Sequence, residues 1–444
     1  MLRGSSGGAP WVAALLGLFA SEACQPAPVA PVPVVLDRSL VVEAWVAHRF
    51  AARDASRYLA VLRVPRSFAH FEDEHWLVAK NGSWPNAATG SRLVAFSGCD
   101  GRLRDGAKKS KSCLRGSGVD ILAGARETHN FALRFEGDLA LWGVSGLTSP
   151  RHPATLFLYG ANRSAALSRT SLVAPEDDTW YPRLGSRAKG CVEKRPDHGG
   201  HCEYDGRFSL AALGDKVLLY ARANTNPRGG GRHVQVASTP RRTDVTRGSK
   251  RPKWSTFAPL RFARGAPEPF GVLADAAAST AAVDIYYAAV EANPSDGGKT
   301  VLGLFPTVVS RDSGGAAAIL AAVSCDGAHF SRPFPLVNSS HVGGEIVDHV
   351  VDGIALDGDD AVLFVHRGVP GTAEKACAYK ALFPKAGEKG KALSRGDAKW
   401  RPPRSEVLAL RVPLAGLRDF TRRGVAGLRK WGRCPKRRES RDGR

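Results

Sequence analysis

An internal repeat is the feature of this sequence that most constrains its fold. Residues 130–142 (NFALRFEGDLALW) are echoed by residues 207–220 (RFSLAALGDKVLLY), and both place Gly-Asp six residues after a Phe. Residues 352–364 (DGIALDGDDAVLF) form a shortened third copy. Related β-rich runs begin near Tyr58 and Asp284, so five units start roughly 70 to 77 residues apart.

Each unit predicts a strand, a Gly-centred turn and a second strand, followed by a longer connection. A single sheet of this kind cannot bury both of its faces, so several sheets must pack together. Radial packing around an axis buries both faces and protects the sheet edges. The five units therefore predict an all-β fold, a five-bladed β-propeller, with a strand at residues 406–412 completing the first blade. A six-bladed propeller and a two-sheet β-sandwich are the alternative folds.

The N-terminal residues have the features of a targeting signal. Arg3 precedes an apolar run of about ten residues, and residues 21–23 (SEA) supply a small-x-small cleavage pattern. The run is too short to span a bilayer. We therefore predict a signal peptide at residues 1–23, a Pro-rich spacer at 24–35, and secretion or residence in the lumen of the secretory pathway. Cys24 at the cleavage point is also a feature of bacterial lipoproteins, so cleavage and retention as an anchor both remain open.

A β-propeller domain is predicted over residues 36–417, and a basic C-terminal tail over residues 418–444. Within the domain, residues 36–58 predict a short helix with Val42, Trp45 and Val46 on one side. No later stretch reaches the length of a transmembrane segment, so no transmembrane span is expected.

The eight cysteines and three sequons agree with export. The candidate disulfides join Cys99 to Cys113, Cys191 to Cys202, and Cys325 to Cys377. Cys24 and Cys434 have no predicted partner. Because no pair has C-x-x-C spacing, neither a metal site nor another cofactor is expected. Glycosylation in a eukaryotic host is predicted at Asn81, Asn162 and Asn338.

The chain is strongly basic. Its 63 Lys and Arg residues outnumber 42 Asp and Glu residues, which gives a formal net charge of +21. Such an excess favours polyanionic partners, and the densest run of cations lies in the predicted tail, which suggests an acidic polymer as a partner. No nucleic-acid-binding fold signature accompanies these charges, so no nucleic acid is expected. The alternative interpretation is an ordinary solvated basic surface.

Two local motifs resemble a known group of proteins. Residues 324–330 (SCDGAHF) are similar to the Asp-box of sialidase-like blades (S-x-D-x-G-x-x-W), with one residue fewer and Phe in place of Trp. Residues 202–210 (CEYDGRFSL) resemble blade openings in which a carboxylate begins the innermost strand. The chain thus resembles the five- and six-bladed propeller glycosidases, which include arabinanases, fructan hydrolases and sialidases. The resemblance implies a structural turn at the Asp-box and a function directed at glycans.

In a propeller the first residues of the inner strands converge on the axis, so distant segments form one pocket. Glycoside hydrolysis needs two carboxyl groups, one acting as an acid and one as a base or nucleophile. The predicted catalytic carboxylates are Asp205, Asp284, Glu345 and Asp348. The predicted substrate-binding residues are Asn130, Glu203, Arg222, Arg232, Tyr286, His349, Asp352, His366 and Arg367.

These roles follow from position and chemistry. Asp205 opens the clearest repeat and is the first choice for base or nucleophile. Glu203 is either its catalytic partner or a neighbour on the same strand face that only tunes its pKa. Glu345 and Asp348 lie in the densest polar stretch, where Glu345 is the predicted general acid. Asp284 precedes a pair of tyrosines, and arginine side chains suit planar anionic groups. The alternative for each carboxylate is a turn or strand-end residue, and for each arginine a surface salt bridge.

The sequence therefore predicts a glycoside hydrolase-like protein that acts on or binds a glycan through an axial carboxylate pocket. The alternative is a non-catalytic propeller that binds carbohydrate or protein, because one fold hosts both roles. The chain contains no Gly-x-Ser-x-Gly elbow, P-loop or His-Glu-x-x-His motif, which disfavours a serine hydrolase and a nucleotide enzyme.

Overall fold

The computed structural model of the chain describes residues 35–36, 39–49, 60–63, 75–81, 92–97, 115–120, 130–136, 140–149, 152–162, 168–173, 207–224, 232–239, 254–255, 257–263, 283–309, 317–339, 349–367 and 406–435. The chain divides into two compact units. One consists of residues 1–33 and 370–403, and the other of residues 34–369 and 404–444. Every described residue lies in the second unit.

The described residues form mostly β structure with one α-helix and a short 3-10 turn. In chain order the strands are β1 (Val35–Leu36), β2 (Glu43–Arg49), β3 (Ala60–Arg63), β4 (His75–Asn81), β5 (Arg92–Ser97), β6 (Arg115–Asp120), β7 (Asn130–Glu136), β8 (Ala140–Ser149), β9 (His152–Asn162), β10 (Ser168–Val173), β11 (Ser209–Leu213), β12 (Lys216–Asn224), β13 (Arg232–Thr239), β14 (Ala258–Pro259), β15 (Arg261–Phe262), β16 (Val283–Ile285), β17 (Ala289–Ala292), β18 (Val301–Val309), β19 (Ala317–Ser324), β20 (His329–Phe330), β21 (Phe334–Ser339), β22 (His349–Val350), β23 (Ala355–Asp357), β24 (Asp360–Arg367) and β25 (Glu406–Pro413). The 3-10 turn covers Pro294–Asp296, and the helix α1 covers Leu414–Lys430. The β-rich character predicted from the sequence is confirmed.

The strands pair into five sheets that follow one another along the chain. The first sheet contains β3–β6, the second β7–β10, the third β11–β14, the fourth β16–β21 with β1 and β15, and the fifth β22–β25 with β2. Each sheet begins close to one of the five repeat starts in the sequence. Nearly all neighbouring strands are antiparallel, as the hairpin signature of the repeat requires.

The sheets contact one another in a cyclic order. In the third sheet, β11 lies against β7 of the second sheet and β17 of the fourth. In the first sheet, β3 lies against β7 and against β23 of the fifth, and β18 of the fourth sheet contacts β22 of the fifth. The last sheet meets the first where Ala60 forms a parallel bridge with Asp352 and the Val61 amide donates to the Asp352 carbonyl at 2.7 Å. The contacts therefore lead from each sheet to the next and back to the first.

The final strand does not complete the first blade, contrary to the prediction. β25 pairs with β24 on one side and with the N-terminal strand β2 on the other, so it belongs to the fifth sheet. Leu408, Leu410 and Val412 point into one apolar core, while Val407 and Ala409 point into another. β25 is therefore an interior strand of the fifth sheet, paired along both edges and buried on both faces.

The short helix predicted over residues 36–58 is also wrong, because part of this segment forms β2. Trp45 and Ala47 pack into the same core cluster as Val407. Val46, which lies between them, packs into the cluster that contains Leu408. This alternation has the period of a strand, not of a helix. Val42 precedes the strand with 54% of its surface exposed, so it does not share a buried face with Trp45.

The Asp-box-like motif forms a compact turn in the fourth sheet. The Ser324 hydroxyl accepts a hydrogen bond from the Gly327 amide at 2.8 Å. The Asp326 carboxylate accepts hydrogen bonds from the amides of Ala328 and His329 at 2.9 and 2.7 Å. Phe330 is buried with its ring centre 5.1 Å from that of Phe305. These contacts hold the turn together and agree with the structural role that the resemblance implied.

A disulfide joins this turn to the C-terminal region, and its partner differs from the prediction. Cys325 pairs with Cys434, with 5.5 Å between the Cα atoms and a sequence separation of 109 residues, so the predicted bond to Cys377 is wrong. Helix α1 brings Cys434 to the turn, which short-range spacing in the sequence does not reveal. The other two predicted disulfides, Cys99–Cys113 and Cys191–Cys202, lie outside the described residues.

The segment predicted as a basic tail begins inside helix α1. The helix buries Leu417, Phe420, Thr421 and Leu428 against the sheets and exposes most of its charged side chains. In the part of the chain that the structure describes, no helix combines the length and apolar character needed to cross a membrane. The basic charges of residues 418–430 are therefore presented by a folded helix.

Two glycines of α1 should respond in opposite ways to replacement by alanine. A Cβ at Gly424 would lie 2.4 Å from Val323 Cγ2, whereas a Cβ at Gly427 would meet nothing within 4 Å. Gly424→Ala should lower the free energy of unfolding by about 1–2 kcal/mol, because crowding outweighs the better helix propensity of alanine. Gly427→Ala should raise it by about 0.5–1 kcal/mol. Urea unfolding of both variants tests this, and equal effects would show that the helix does not approach the sheet so closely.

Candidate functional site

Charged and polar side chains from four sheets meet at Asp352, and we call them the ion cluster. Arg134 on β7 binds both carboxylate oxygens of Asp352, with Nη1–Oδ2 and Nη2–Oδ1 distances of 2.7 and 3.0 Å. Arg207, just before β11, places Nη2 3.2 Å from Oδ2. The Ser209 hydroxyl lies 3.1 Å from Oδ1, and Glu291 on β17 lies 2.7 Å from Arg134 Nη2. The cluster thus links the second, third, fourth and fifth sheets.

Burial and charge push the pKa values of the two carboxyl groups in opposite directions. Burial works to raise the pKa of Asp352, but the guanidinium groups of Arg134 and Arg207 hold it below its ordinary 3.8. Burial raises the pKa of Glu291 to about 8, and Arg134 limits the rise. Burial alone would lower the pKa of Arg134, yet the two carboxyl groups raise it above its ordinary value. Asp352 is therefore the permanent anion of this cluster.

The ion cluster has the architecture of a structural junction. Oxygen atoms of Asp352 and Glu291 both contact Arg134 Nη2, so they lie less than about 6 Å apart, which is near the spacing of a retaining glycosidase pair. However, Asp352 and Arg207 have no exposed side-chain surface, and Arg134 stands between the carboxyl groups. A sugar cannot approach Asp352 in this arrangement. Its geometry favours joining the sheets.

A second group, the arginine–aromatic cluster, consists of Arg222, Tyr286, Tyr287 and His349. The Arg222 guanidinium lies over the Tyr286 ring at 5.0 Å from its centre. The His349 ring centre lies 5.5 Å from that of Tyr286 and 5.7 Å from that of Tyr287. These residues come from the third, fourth and fifth sheets, and each is at least nine-tenths buried. The packing combines cation–π and edge-to-face contacts, which orient the polar tips of the side chains.

Two chain segments each contribute residues to both clusters. Tyr286 and Glu291 belong to the described segment 283–292, and His349 lies three residues before Asp352. The Tyr287 hydroxyl donates to the Val350 carbonyl at 2.8 Å, which ties the fourth sheet to the fifth between the clusters. Burial raises the pKa of Tyr287 well above its ordinary value, so its hydroxyl stays protonated and remains a donor.

The structure brings several predicted substrate-binding residues together. Tyr286 contacts both Arg222 and His349, although each of these residues is 63 or more positions away from it in the sequence. His366 is buried and pairs across the strands with His349. Arg367 lies 3.9 Å from Glu406 in a partly exposed ion pair, and Asp352 lies in the ion cluster.

The remaining predicted site residues have side chains that the structure does not describe. The structure describes the backbone but not the side chains of three predicted residues, Asn130 in β7, Arg232 in β13 and Asp284 in β16. Four lie outside the described residues: Glu203, Asp205, Glu345 and Asp348. The predicted catalytic roles therefore stay predictions.

Sequence reasoning missed Arg134, Arg207, Ser209 and Glu291. Arg134 and Glu291 each stand within short apolar strands, at residues 130–136 and 289–292. A charged side chain inside such a strand indicates either a solvent-facing position or a buried ion pair. Arg207 and Ser209 are the first and third residues of the second repeat copy, residues 207–220. Their position at the start of that copy was the feature of the sequence that could have identified them.

Comparison with known proteins finds weak similarity to solved structures and no match in sequence. No protein-family model and no curated protein matches the chain. Among solved structures, an N-acetylgalactosamine deacetylase from F. plautii in complex with blood group B trisaccharide aligns at 10% sequence identity, covering 86% of this chain and 98% of that chain, with a TM-score of 0.45. An α-L-arabinanase of Penicillium chrysogenum complexed with arabinobiose aligns at 9% identity, covering 86% and 99%, with a TM-score of 0.42.

A GH93 α-L-arabinofuranosidase of Fusarium graminearum with arabinobiose aligns at 11% identity, covering 85% of this chain and 98% of that chain, with a TM-score of 0.40. The aligned structures thus include an arabinanase and an arabinofuranosidase, and none of them assigns the chain to a family. At TM-scores of 0.45 and below, these likenesses assign no activity, substrate or catalytic residue to this chain.

Proposed function

We propose that the chain is a five-bladed β-propeller that acts on or binds a glycan at the end of its axis next to the arginine–aromatic cluster. The observation that carries this proposal is the convergence of Arg222, Tyr286 and His349 from three different sheets. Five repeat units, five sheets and the cyclic order of their contacts support five blades. A two-sheet sandwich would not lead from each sheet to the next and back to the first.

The cluster provides a suitable base for a sugar site. Aromatic rings offer an apolar surface to sugar rings, while guanidinium and imidazole groups donate to hydroxyl or carboxylate oxygens. Tyr286 has 8% of its surface exposed and Arg222 has 4%. These two side chains therefore form a buried layer that supports the residues in direct contact with the ligand. Groups in direct contact with a ligand would come from the segments that precede the inner strands.

Those segments contain the predicted carboxylates. Asp205 stands two residues before Arg207 of the ion cluster, and Asp348 directly precedes His349 of the arginine–aromatic cluster. Consecutive Cα atoms are only about 3.8 Å apart, and this proximity along the chain supports the proposal that both carboxylates serve the same site as the clusters. Asp284 lies two residues before Tyr286 in the same way.

In the hydrolytic form of the proposal, Glu345 donates a proton to the glycosidic oxygen as the bond to the anomeric carbon breaks. Asp205 either removes a proton from the attacking water or attacks the anomeric carbon itself, in which case water later releases the sugar. Asp348 and Asp284 are the alternative carboxylates for either role. His349 orients the substrate.

The second candidate is a propeller that binds a glycan without cleaving it. It is favoured by the state of the two described carboxyl groups near the proposed axis, since Asp352 and Glu291 are both bound by Arg134. In a propeller that only binds, the same pocket recognises the glycan. Arg222 and His349 then support the residues that make polar contacts with the sugar.

The disulfide between Cys325 and Cys434 supports an oxidising compartment, and thus the proposed secretion or residence in the secretory pathway. The signal peptide at 1–23, the spacer at 24–35 and glycosylation at Asn81, Asn162 and Asn338 remain proposals. The proposed boundary between the domain and the tail at residue 417 falls within α1 (Leu414–Lys430).

The decisive experiment combines glycan-array binding by the full chain with product analysis on every glycan that binds. Asp205→Asn and Glu345→Gln should each lower the rate of product release by about 10²-fold or more, because each removes one partner of the acid–base pair. Asp215→Asn is the matched control, since Asp215 is exposed in the β11–β12 turn and should leave the rate unchanged.

The outcomes separate the two candidates. Product released by the wild type and by the control, but not by the two variants, supports the hydrolase. Binding by all four proteins without any product overturns the hydrolase and supports the recognition propeller. Binding to no glycan on the array would overturn both.

A further inference from the structure

The exposed face of helix α1 and its C-terminal extension carry a dense band of positive charge. Six cations lie on it: Arg418, Arg422, Arg423, Arg429, Lys430 and Arg433. Between residues 414 and 435 the single acidic residue is Asp419, which pairs with Arg422. At about 1.5 Å per residue the 17-residue helix is about 25 Å long, so the band is extended. We call this surface the basic face.

The opposite side of the helix is fixed to the sheets along its length. The Phe420 ring centre lies 5.8 Å from that of Phe334, and the Thr421 hydroxyl accepts a hydrogen bond from the Asn293 side-chain amide at 2.8 Å. Farther along, Gly424 lies so close to Val323 that a side chain would not fit without movement. The apolar side of this helix is therefore already occupied by the protein's own core.

The C-terminal end of the helix is fixed separately to the Asp-box-like turn. The Trp431 ring centre lies 5.3 Å from that of His329, and Cys434 is bonded to Cys325. Arg433 lies over the Trp431 ring at 5.4 Å. With both its buried side and its end anchored, the helix backbone holds the Cα positions of these cations in one fixed arrangement.

Several cations of the basic face are also oriented. Arg418 donates from Nε to the Ser295 carbonyl at 3.3 Å, and Arg429 donates from Nε to the Pro435 carbonyl at 3.3 Å. Each of these bonds uses Nε and leaves the two terminal nitrogen atoms of the guanidinium as donors. Such a fork suits the paired oxygen atoms of carboxylate and sulfate groups.

We infer that the basic face binds an acidic polysaccharide. An extended row of cations on a fixed helix matches a linear polyanion, and the orientation of Arg418 and Arg429 reduces the entropy that binding must overcome. A membrane surface is a poorer match, because interfacial helices insert an apolar face and that face of α1 is packed on the sheets. The disulfide indicates an oxidising compartment, where acidic glycans rather than nucleic acids are the expected polymers. This inference does not rest on the proposed axial function.

The test compares two double variants of the full chain that remove the same charge. Arg423→Gln/Lys430→Gln changes exposed residues of the basic face. Lys216→Gln/Arg261→Gln changes exposed residues of the third and fourth sheets and is the matched control. With a heparin fragment as the probe at low ionic strength, the helix variant should lose about tenfold in affinity and the control less than about twofold. Circular dichroism checks that both variants keep the wild-type fold.

The competing ligands are tested in parallel with a single-stranded DNA oligonucleotide and with phosphatidylserine-containing vesicles. A selective loss of heparin binding in the helix variant supports the inference. Equal losses in both double variants would show that net charge alone is responsible and would overturn it. Binding that depends on the helix for DNA or vesicles but not for heparin would overturn it as well. The axial proposal is judged separately by product release, which neither double variant should alter.

Discussion

Replacement of Asp352 by Asn should lower the free energy of unfolding by about 3–5 kcal/mol. The carboxylate of Asp352 is fully buried and accepts hydrogen bonds from Arg134 while contacting Arg207 at 3.2 Å. The amide of asparagine has nearly the same shape but no charge, so two buried guanidinium groups would lose their main counterion. Breaking a buried ion pair on one side costs more than the pair contributes, because the remaining charge stays desolvated.

The effect of Asp352→Asn should also depend on pH in a defined direction. The pKa of Asp352 in the folded protein lies below its ordinary 3.8, whereas the unfolded chain has the ordinary value. The stabilisation from its ionised form is therefore complete above about pH 4, and it is lost as the pH falls through the folded-state pKa. The difference in stability between wild type and variant should therefore shrink as the pH falls below about 4.

Urea unfolding at a series of pH values measures both effects, and Asp359→Asn serves as the control. Asp359 is an exposed carboxylate in the turn between β23 and β24, close to Asp352 in the chain. Its replacement should change stability by less than about 0.5 kcal/mol. A loss of that small size in Asp352→Asn, or a loss independent of pH, would contradict the assignment of Asp352 as the counterion that joins four sheets.

The sheets could be predicted from the sequence because their signal is local. Each repeat combines alternating apolar residues with a Gly-Asp turn, and the five starts near residues 58, 131, 208, 284 and 354 correspond to the five sheets. The Asp-box-like turn was recognisable for the same reason, since Ser324, Asp326 and Gly327 bond to one another within four residues.

The errors share a cause, which is pairing between segments distant in sequence. Nothing in residues 43–49 shows that β2 will pair with β25, more than 350 residues later. Likewise, nothing near Cys325 indicates Cys434 instead of Cys377. Helix α1 was missed for a different reason. Its apolar positions, Leu417, Phe420 and Leu428, have helical spacing, but two glycines and many basic residues between them suggested a solvated tail.

The candidate site was predictable only in part. Choosing residues near the starts of inner strands identified His349, whereas Tyr286 was chosen as an aromatic ring beside Asp284 and Arg222 for its chemistry. The structure brings these three residues together. The same rule could not show that Asp352 would be enclosed by two arginines, because Arg134 lies 218 residues away. Whether a carboxylate faces solvent or a buried counterion depends on tertiary packing, which strand patterns do not encode.

Replacement of Gly353 by Ala should have an equally large effect, because this residue lies where the fifth sheet meets the first. Gly353 has a φ of +112°, and a Cβ there would lie 2.0 Å from the Val61 carbonyl oxygen. The backbones of Val61 and Gly353 cannot move apart easily, because the Val61 amide is hydrogen-bonded to the carbonyl of Asp352, the residue before Gly353. Strain at positive φ and crowding together predict a loss of about 3–5 kcal/mol, or failure to fold.

Gly358→Ala separates the effect of conformation from that of crowding. Gly358 has a φ of +61°, and a Cβ there would meet nothing within 4 Å, so its replacement should cost only about 1–2 kcal/mol. Urea unfolding and the yield of folded protein compare the two variants. If the five sheets close a ring, Gly353→Ala should also weaken glycan binding, because displacing the fifth sheet moves His349 away from Tyr286 and Arg222. Equal losses of stability in the two variants would show that the first and fifth sheets do not meet at Gly353.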